Sequence, residues 1–470
     1  MATDARAADS TGKRPLPDRR SGLADRRSHP RGGRRRGDML TPSVMLTGAI
    51  LGSCTRLALP TIPSDLGVTQ ESVMMIPTTA AESAVPVMQP AQLPAQSTPA
   101  PEPKRGTVLD PGDDLQAAVD SAPAGTVFTI RQGVHRRQTI KPKDGMSFVG
   151  EVGAVLDGEG VTPRAFRGQA VRDVTIRGLR ITGYMPPANA AAVDGIDSVG
   201  WVIEDNEIDH NGTGANRTFG LRLGDDMAVR GNRIHHNVWV GIAGYEADRV
   251  VIERNEIYAN PPVAVNDTIG EASNMKLIRC GNVIVRDNEV HDGPMIGMWF
   301  DTMKPDNTIE ANRVVNHGGA GIWYEVSYRA TVRRNYVENA GYSGSYTSGW
   351  LRSGGIQVTN SPDVSVLDNT VVNSLNGIIG QQASGYRNGS YGVNELRNLL
   401  VSGNTIVMPN GQTGIARNVS GDGVFDSWNN RFENNRYDLR TNATPFYWKG
   451  RALTDAEWKA GPGASDTFIR

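Results

Sequence analysis

Two short stretches of this sequence place a tryptophan and an acid at matching positions. "GMWFD" spans Gly297–Asp301 and "GIWYE" spans Gly321–Glu325, so each has a glycine, an apolar residue, a tryptophan, an aromatic residue and an acid. Carboxylic acids serve as general acids, bases and nucleophiles, and as ligands for hard cations. Tryptophan offers a broad apolar face. The pair of motifs therefore predicts a site where acid–base chemistry takes place beside an aromatic surface.

The two motifs start 24 residues apart. If both form strands one coil apart, with the residue after each glycine pointing inward, Trp299 stacks on Trp323 and Asp301 on Glu325 at about 4.8 Å. Two carboxylates this close repel each other unless one is protonated or a cation intervenes. Such a costly arrangement indicates a functional site. The structural alternative is that a loop covers the tryptophans and that basic side chains neutralise the acids.

Basic and aromatic residues flank the two acids in the sequence. The segment "SNMKLIRC" holds Lys276 and Arg279, and the repeat phase places Lys276 one coil before Asp301, facing outward beside the tryptophans. We therefore select Asp301, Glu325 and Lys276 as catalytic candidates. The candidate substrate-binding residues are Trp299, Trp323, Arg279, His291, Tyr328 and Trp350, the last of which lies in one of three Gly- and Tyr-rich insertions.

A repeat must position these residues. A short run rich in Val and Ile ends in Asn and is followed by another apolar residue, as in "VIERNEI"; the repeated asparagines are Asn206, Asn232, Asn255, Asn288, Asn312, Asn335, Asn369 and Asn404. Their spacing is about 23 residues, with about ten more in some copies, and "SWNNRF" around Asn430 resembles a degraded last copy. A fixed period in this range indicates a solenoid, and its alternating apolar residues predict strands. We expect the asparagines to form an inward ladder at turns, where Asn tolerates left-handed backbone.

This repeat resembles that of right-handed parallel β-helix proteins, the pectate-lyase-like superfamily. The resemblance implies an all-β solenoid over residues 106–445, with a short helix at about 114–121 that caps the N-terminal end of the core. Residues 446–470 resemble a C-terminal cap or tail. Proteins of this kind are mostly polysaccharide lyases, glycoside hydrolases and uronan epimerases, and some only bind glycans. Fold alone does not specify the reaction.

The first 105 residues have the composition of a leader and a linker. Residues 1–38 hold ten Arg and one Lys against five Asp, which fits a basic disordered tail or the n-region of a signal peptide. Residues 39–54 resemble an apolar signal segment that ends in a lipobox-like Leu-Gly-Ser-Cys, so Cys54 is the candidate lipid-attachment residue. Residues 55–105 are rich in Pro, Ala and Ser, as in extended linkers. We therefore expect an exported protein, extracellular or on the cell surface, with membrane anchoring only through its N-terminus.

Whole-chain composition limits the possible partners. The formal charge is −1, which argues against a nucleic-acid partner, and the two cysteines provide neither a disulfide framework nor a multi-Cys metal site. We expect a monomer whose partner is a polysaccharide.

Two enzymatic routes and one non-enzymatic role are consistent with these residues. In a glycoside hydrolase, Asp301 and Glu325 act as acid and as nucleophile or base. In a lyase that acts on uronic acids, Lys276 or Arg279 removes the C5 proton while Asp301 and Glu325 hold a Ca²⁺ ion. Neither the arginine signature of pectate lyases nor the Asp-Pro-His-Asp signature of alginate epimerases is evident. The alternative is a non-catalytic glycan-binding or surface-display protein.

Overall fold

The computed structural model describes residues 106–213, 217–261, 272–342, 353–384 and 389–469. They form a solenoid of three long sheets, in which nearly all neighbouring strands are parallel. The predicted all-β parallel helix is therefore confirmed. Only three short helices occur in this part of the chain, Leu115–Ser121, Gly423–Asp426 and Asp455–Lys459. Among the described residues, no helix has the length and apolarity needed to cross a membrane.

Each coil contributes one strand to each sheet, so the sheets run the length of the solenoid. Sheet A consists of Thr107–Leu109, Val127–Ile130, Ser147–Gly150, Thr175–Arg177, Val202–Glu204, Ala228–Arg230, Val251–Glu253, Ile284–Arg286, Asn307–Glu310, Ala330–Arg333, Val364–Leu367, Leu400–Ser402 and Arg431–Glu433. Sheet B consists of Gly133–Arg136, Ala154–Asp157, Arg180–Thr182, Glu207–Asp209, Arg233–His235, Glu256–Tyr258, Glu289–Gly293, Arg313–His317, Tyr336–Ala340, Thr370–Val372, Thr405–Val407, Arg436–Asp438 and Thr467–Ile469.

Sheet C carries the two acidic motifs. Its strands are Phe166–Arg167, Ala190–Asp194, Thr218–Arg222, Val240–Tyr245, Ser273–Ile278, Ile296–Asp301, Ile322–Glu325, Gly354–Thr359, Asn376–Gln382, Thr413–Arg417, Phe446–Trp448 and Arg451–Leu453. The last strand pairs antiparallel with its neighbour.

The core lies between the sheets and is built from stacks of equivalent apolar side chains. In sheet A, the middle inward position holds Ile203, Val229, Ile252, Val285, Ile309, Val332, Val366 and Val401 in register from coil to coil. All of them are essentially inaccessible to solvent. Because a strand exposes alternate residues to opposite faces, one branched residue per coil suffices to extend the core.

The asparagine ladder lies at the turn between sheets A and B, and its members are buried as predicted. Asn288, for example, donates from Nδ2 to the carbonyl of Ile252 and to Oδ1 of Asn312, each over 2.9 Å, and accepts from the backbone N–H of Asn255. The predicted left-handed conformation is wrong by one residue. It belongs to the residue before each Asn, such as Asp287 with a φ of 55°, and this turn directs the Asn side chain inward.

The final copy of the ladder is also not where the sequence suggested. Asn404 bonds to Asn435 rather than to Asn430, and Asn435 in turn bonds to Asp466. Asn430 instead accepts from the N–H of Leu399. The solenoid thus continues beyond residue 445, since Thr467–Ile469 pairs with the preceding strand of sheet B.

Both ends of the core are covered. At the N-terminal end, Asp114 caps the first helix by accepting from the N–H of Ala117, and the helix buries Leu115 and Val119. At the C-terminal end, the buried ring of Trp458 stacks on Phe446 with 4.5 Å between centroids. These caps protect apolar edges that an open solenoid would expose.

Candidate functional site

The two acidic motifs form neighbouring strands of sheet C in the predicted register. Trp299 pairs with Trp323, and Asp301 pairs with Glu325. The indole rings stack with centroids 4.8 Å apart and planes 7° from parallel. Phe300 and Tyr324, between each tryptophan and acid, point into the core and are fully buried. Strand alternation therefore delivers the tryptophan and the acid of each motif to the outer face.

Lys276 joins this cluster from the preceding coil. It pairs with Trp299 in the sheet, and its Nζ lies 3.4 Å from the centroid of that indole ring. The same Nζ is 3.7 Å from Oδ2 of Asp301. A lysine above an aromatic face and beside a carboxylate is stabilised in its charged form by both contacts.

Glu325 is held by the other tryptophan of the pair. Nε1 of Trp299 donates to Oε2 of Glu325 over 3.1 Å. This hydrogen bond crosses between coils, so the indole that carries the lysine on its face also orients the carboxylate of the next strand.

The cluster is more enclosed than the sequence indicated. Trp299 lies on the outer face but is only 6% exposed, and Lys276 and Glu325 are similarly covered at 5% and 7%. Trp323 is half-buried, and the Asp301 side chain retains 24% exposure. The openings to solvent are therefore at Trp323 and Asp301.

Neutral polar side chains extend the site on the two coils that follow Glu325. Nε1 of Trp323 donates to Oγ1 of Thr359 over 3.0 Å, and Thr359 donates to Oε1 of Gln381. Nε2 of Gln357 donates to the same Gln381 oxygen over 3.0 Å. Sequence reasoning missed these amides, although Gln357 follows directly in the column of Lys276 and the two tryptophans.

Three of the predicted substrate-binding residues do not join the cluster. His291 lies in sheet B, where it stacks on Tyr258 and bonds to Asp292, whereas the acids lie in sheet C. Tyr328 is buried, and its hydroxyl donates to the carbonyl of Gly392, which makes it an anchor for that segment.

Arg279 is the third of these residues. It follows the end of its strand in a left-handed conformation, and its guanidinium donates to the hydroxyl of Tyr245 and to Glu246. The guanidinium therefore lies at Tyr245, which the register places in the same column as the acids, two coils before Asp301. Trp350 and Cys54 lie outside the described residues.

Ca²⁺ takes about six to eight oxygen ligands, and in the described ranges no group of three or more His, Cys, Asp or Glu side chains could hold a metal ion. The Lys276 ammonium already places a positive charge beside Asp301. The Ca²⁺-dependent route for Asp301 and Glu325 stays a prediction.

Comparisons with known proteins identify the fold class. The family profile described as "Right handed beta helix region" matches residues 165–280 and 266–390, which agrees with the parallel β-helix of the structure. The site strands from Ser273–Ile278 to Asn376–Gln382 fall within the matched residues. No curated protein sequence matches this chain significantly.

Several solved structures have a similar fold. The XylC–xylose complex is 11% identical, with a TM-score of 0.46, over 64% of this chain and 82% of that one. The A-module of the mannuronan C-5 epimerase AlgE4 of Azotobacter vinelandii is 15% identical, with a TM-score of 0.44, over 76% and 95%. The DFA-IIIase of Arthrobacter chlorophenolicus A6 in complex with GF2 is 13% identical, with a TM-score of 0.40, over 66% and 93%. At these values the likeness concerns the fold and not the reaction.

Proposed function

We propose that this protein is a carbohydrate-active enzyme, a glycoside hydrolase whose reacting groups are Asp301 and Glu325 on the outer face of sheet C. The observation that carries the proposal is the register that places these two acids on adjacent coils, one beside the Lys276 ammonium and the other bonded to Trp299. Half-buried Trp323 next to the acids provides an apolar surface suited to one face of a sugar ring.

The contacts of the two acids suggest different roles. Asp301, beside a positive charge, is favoured as the ionised carboxylate, which serves as nucleophile or base. We assign Glu325, which is buried on the adjacent coil and bonded to Trp299, as the acid that donates to the leaving oxygen. Neighbouring strands lie about 4.8 Å apart, close to the roughly 5–5.5 Å between the carboxyl groups of retaining hydrolases. The expected products therefore retain their anomeric configuration.

The position of Lys276 disfavours the lyase route. A lysine that removes a proton must be neutral, because an ammonium group has no lone pair. Burial favours the neutral amine, but the indole face at 3.4 Å and the Asp301 carboxylate at 3.7 Å both favour the ammonium. We therefore assign Lys276 to positioning Asp301 rather than to proton abstraction.

A panel of plant, algal and bacterial polysaccharides tests this function. Two readouts are recorded, the formation of new reducing ends and the ultraviolet absorbance of unsaturated uronates, with Asp301→Asn as the inactive control. New reducing ends without that absorbance support the hydrolase. Unsaturated products would instead support a lyase, and tight binding of a glycan with neither signal would support the non-catalytic alternative.

Export and anchoring complete the proposal. A glycan-cleaving enzyme acts where polysaccharides occur, which agrees with the signal-like and linker-like composition of residues 1–105. Replacing Cys54 with Ser and following membrane association of the full chain tests the lipid anchor. If the variant and the wild type fractionate alike, Cys54 is not the anchoring residue.

A further inference from the structure

A cavity opens on sheet C beside the candidate site. Its volume is about 370 Å³, within the ~300–1,000 Å³ of small-molecule sites. Phe219, Trp239 and Tyr245 supply aromatic lining, and Arg222 and Lys276 supply positive charge. A mainly apolar wall with a few converging charged groups is the usual composition of a ligand site.

The sheet register connects this cavity to the acids. Lys276 and Ile278 both line the cavity, and they pair with Trp299 and Asp301 on the next coil. The cavity therefore lies on the N-terminal side of Asp301, next to it along the solenoid. A glycan that follows sheet C past the acids would place one of its units here.

Arg222 in the cavity wall belongs to a cluster of two arginines around one carboxylate. Its guanidinium donates to both carboxylate oxygens of Asp194, over 2.7 and 3.0 Å. Arg164 also donates to Asp194, over 2.9 Å, and Asp194 is only 1% exposed. Two guanidinium groups thus share one carboxylate. Arg217 lines the same cavity as a further basic residue.

On the other side of the acids, the described outward residues of the next two coils are neutral. The coils that follow Glu325 present Gln357, Thr359 and Gln381, which are joined by hydrogen bonds. The outer face of sheet C therefore changes character along the solenoid, from cationic and aromatic before the acids to neutral amides after them.

We propose that the cavity binds a sugar unit bearing an anionic substituent, a carboxylate or a sulfate, and that charge is recognised on this side of the cleavage point only. The aromatic rings contact the apolar face of the unit, and Arg222 with its basic neighbours contacts the anion. This proposal rests on the proposed function, because it assigns the cavity as one subsite of the same glycan.

The test uses binding to three short oligosaccharides of equal length: one containing uronates, the same one with its carboxyl groups reduced to alcohols, and a sulfated one. Calorimetry is done on Asp301→Asn, so that turnover does not interfere. We expect the uronate or the sulfated oligosaccharide to bind at least tenfold more tightly than the reduced one, and we expect Arg222→Gln to remove most of that preference. Whichever of the uronate-containing and the sulfated oligosaccharide binds more tightly identifies the anionic substituent.

Arg249→Gln is the matched control, because Arg249 forms an exposed ion pair with Asp226 outside the cavity lining. The preference of this control for the anionic over the reduced oligosaccharide should equal that of the Asp301→Asn protein. Should Arg222→Gln fail to fold, salt provides the second measurement: rising ionic strength must weaken binding of the anionic oligosaccharide and leave the reduced one unchanged.

Equal affinity for the anionic and the reduced oligosaccharides would overturn the cavity assignment, even if the wild type cleaves neutral glycans. Tight, charge-selective binding without turnover by the wild type would leave the assignment standing and contradict the proposed hydrolase instead. The two proposals therefore fail in different measurements.

Discussion

Nε1 of Trp299 donates a hydrogen bond to Oε2 of Glu325 over 3.1 Å, from one coil of the solenoid to the next. The same indole supports the Lys276 ammonium on its face. Trp299 is therefore the residue through which the lysine and both acids are held in fixed relation. Its near-complete burial fits this positioning role better than direct contact with substrate.

Trp323 is the tryptophan with an accessible face, so its loss should weaken glycan binding. We expect Trp323→Ala to raise the dissociation constant about tenfold, as is common for a central aromatic contact. The effect is measured by calorimetry in the Asp301→Asn background, with an intact glycan that the wild-type enzyme cleaves. Trp323→Phe keeps a ring but loses the bond to Thr359, so it should bind more tightly than the alanine variant. Equal affinities of the parent and the alanine variant would rule out this contact.

The asparagine ladder should contribute strongly to stability. Asn288→Ala removes hydrogen bonds to Ile252 and Asn312 and leaves the buried N–H of Asn255 without its acceptor. An unsatisfied buried group costs about 1–3 kcal/mol, so we expect the free energy of unfolding to fall by at least about 2 kcal/mol. Urea unfolding monitored by circular dichroism checks this. Exposed Asn410→Ala serves as the control and should change little, whereas equal effects of the two substitutions would contradict the ladder's role.

His317 should make stability depend on pH. Burial lowers the pKa of this histidine from 6.5 to about 3, and Asn274 donates to its Nε2, as a neutral ring requires. The pKa of His317 is lower in the folded state than in the unfolded state. Its contribution to the free energy of unfolding is therefore fully present above about pH 6.5 and is lost as the pH falls toward 3. The loss reaches about 2–3 kcal/mol at pH 4.5.

The variant His317→Gln isolates this contribution. Glutamine retains an acceptor for Asn274 but does not titrate. Between pH 7 and 4.5, the wild type should therefore lose about 2–3 kcal/mol of unfolding free energy relative to the variant. Urea unfolding at four or five pH values gives the difference in unfolding free energy between wild type and variant. If it stays constant with pH, protonation of His317 is not the cause of acid sensitivity.

The period of the repeat made the pairing of the acids predictable. Once Trp299 and Trp323 are 24 residues apart in a solenoid of similar period, the sheet register and the stacking follow from the two-residue alternation of strands. The position of Lys276 followed from the same phase. These features depend on local spacing, which a sequence displays directly.

Other features depend on contacts between distant segments and were not predictable. The near-burial of Trp299 and the sharing of Asp194 by two arginines arise from neighbours on other coils. His291 comes three residues after the ladder residue Asn288, within the sheet B strand Glu289–Gly293, whereas the acids lie in sheet C. Asn435 was overlooked because a second Asn-Asn pair, five residues earlier, resembled the repeat equally well.

We infer that Asp301 and Glu325 carry out the reaction. The most direct measurement compares turnover of one cleaved glycan by wild type, Asp301→Asn, Glu325→Gln and Lys276→Met, with thermal midpoint and glycan affinity recorded for each protein. We expect both acid variants to lose about 10²-fold to 10⁴-fold in turnover while folding and binding normally. Lys276→Met should lose less, because its side chain only positions Asp301. Wild-type turnover by a folded Asp301→Asn or Glu325→Gln variant would rule out these catalytic roles.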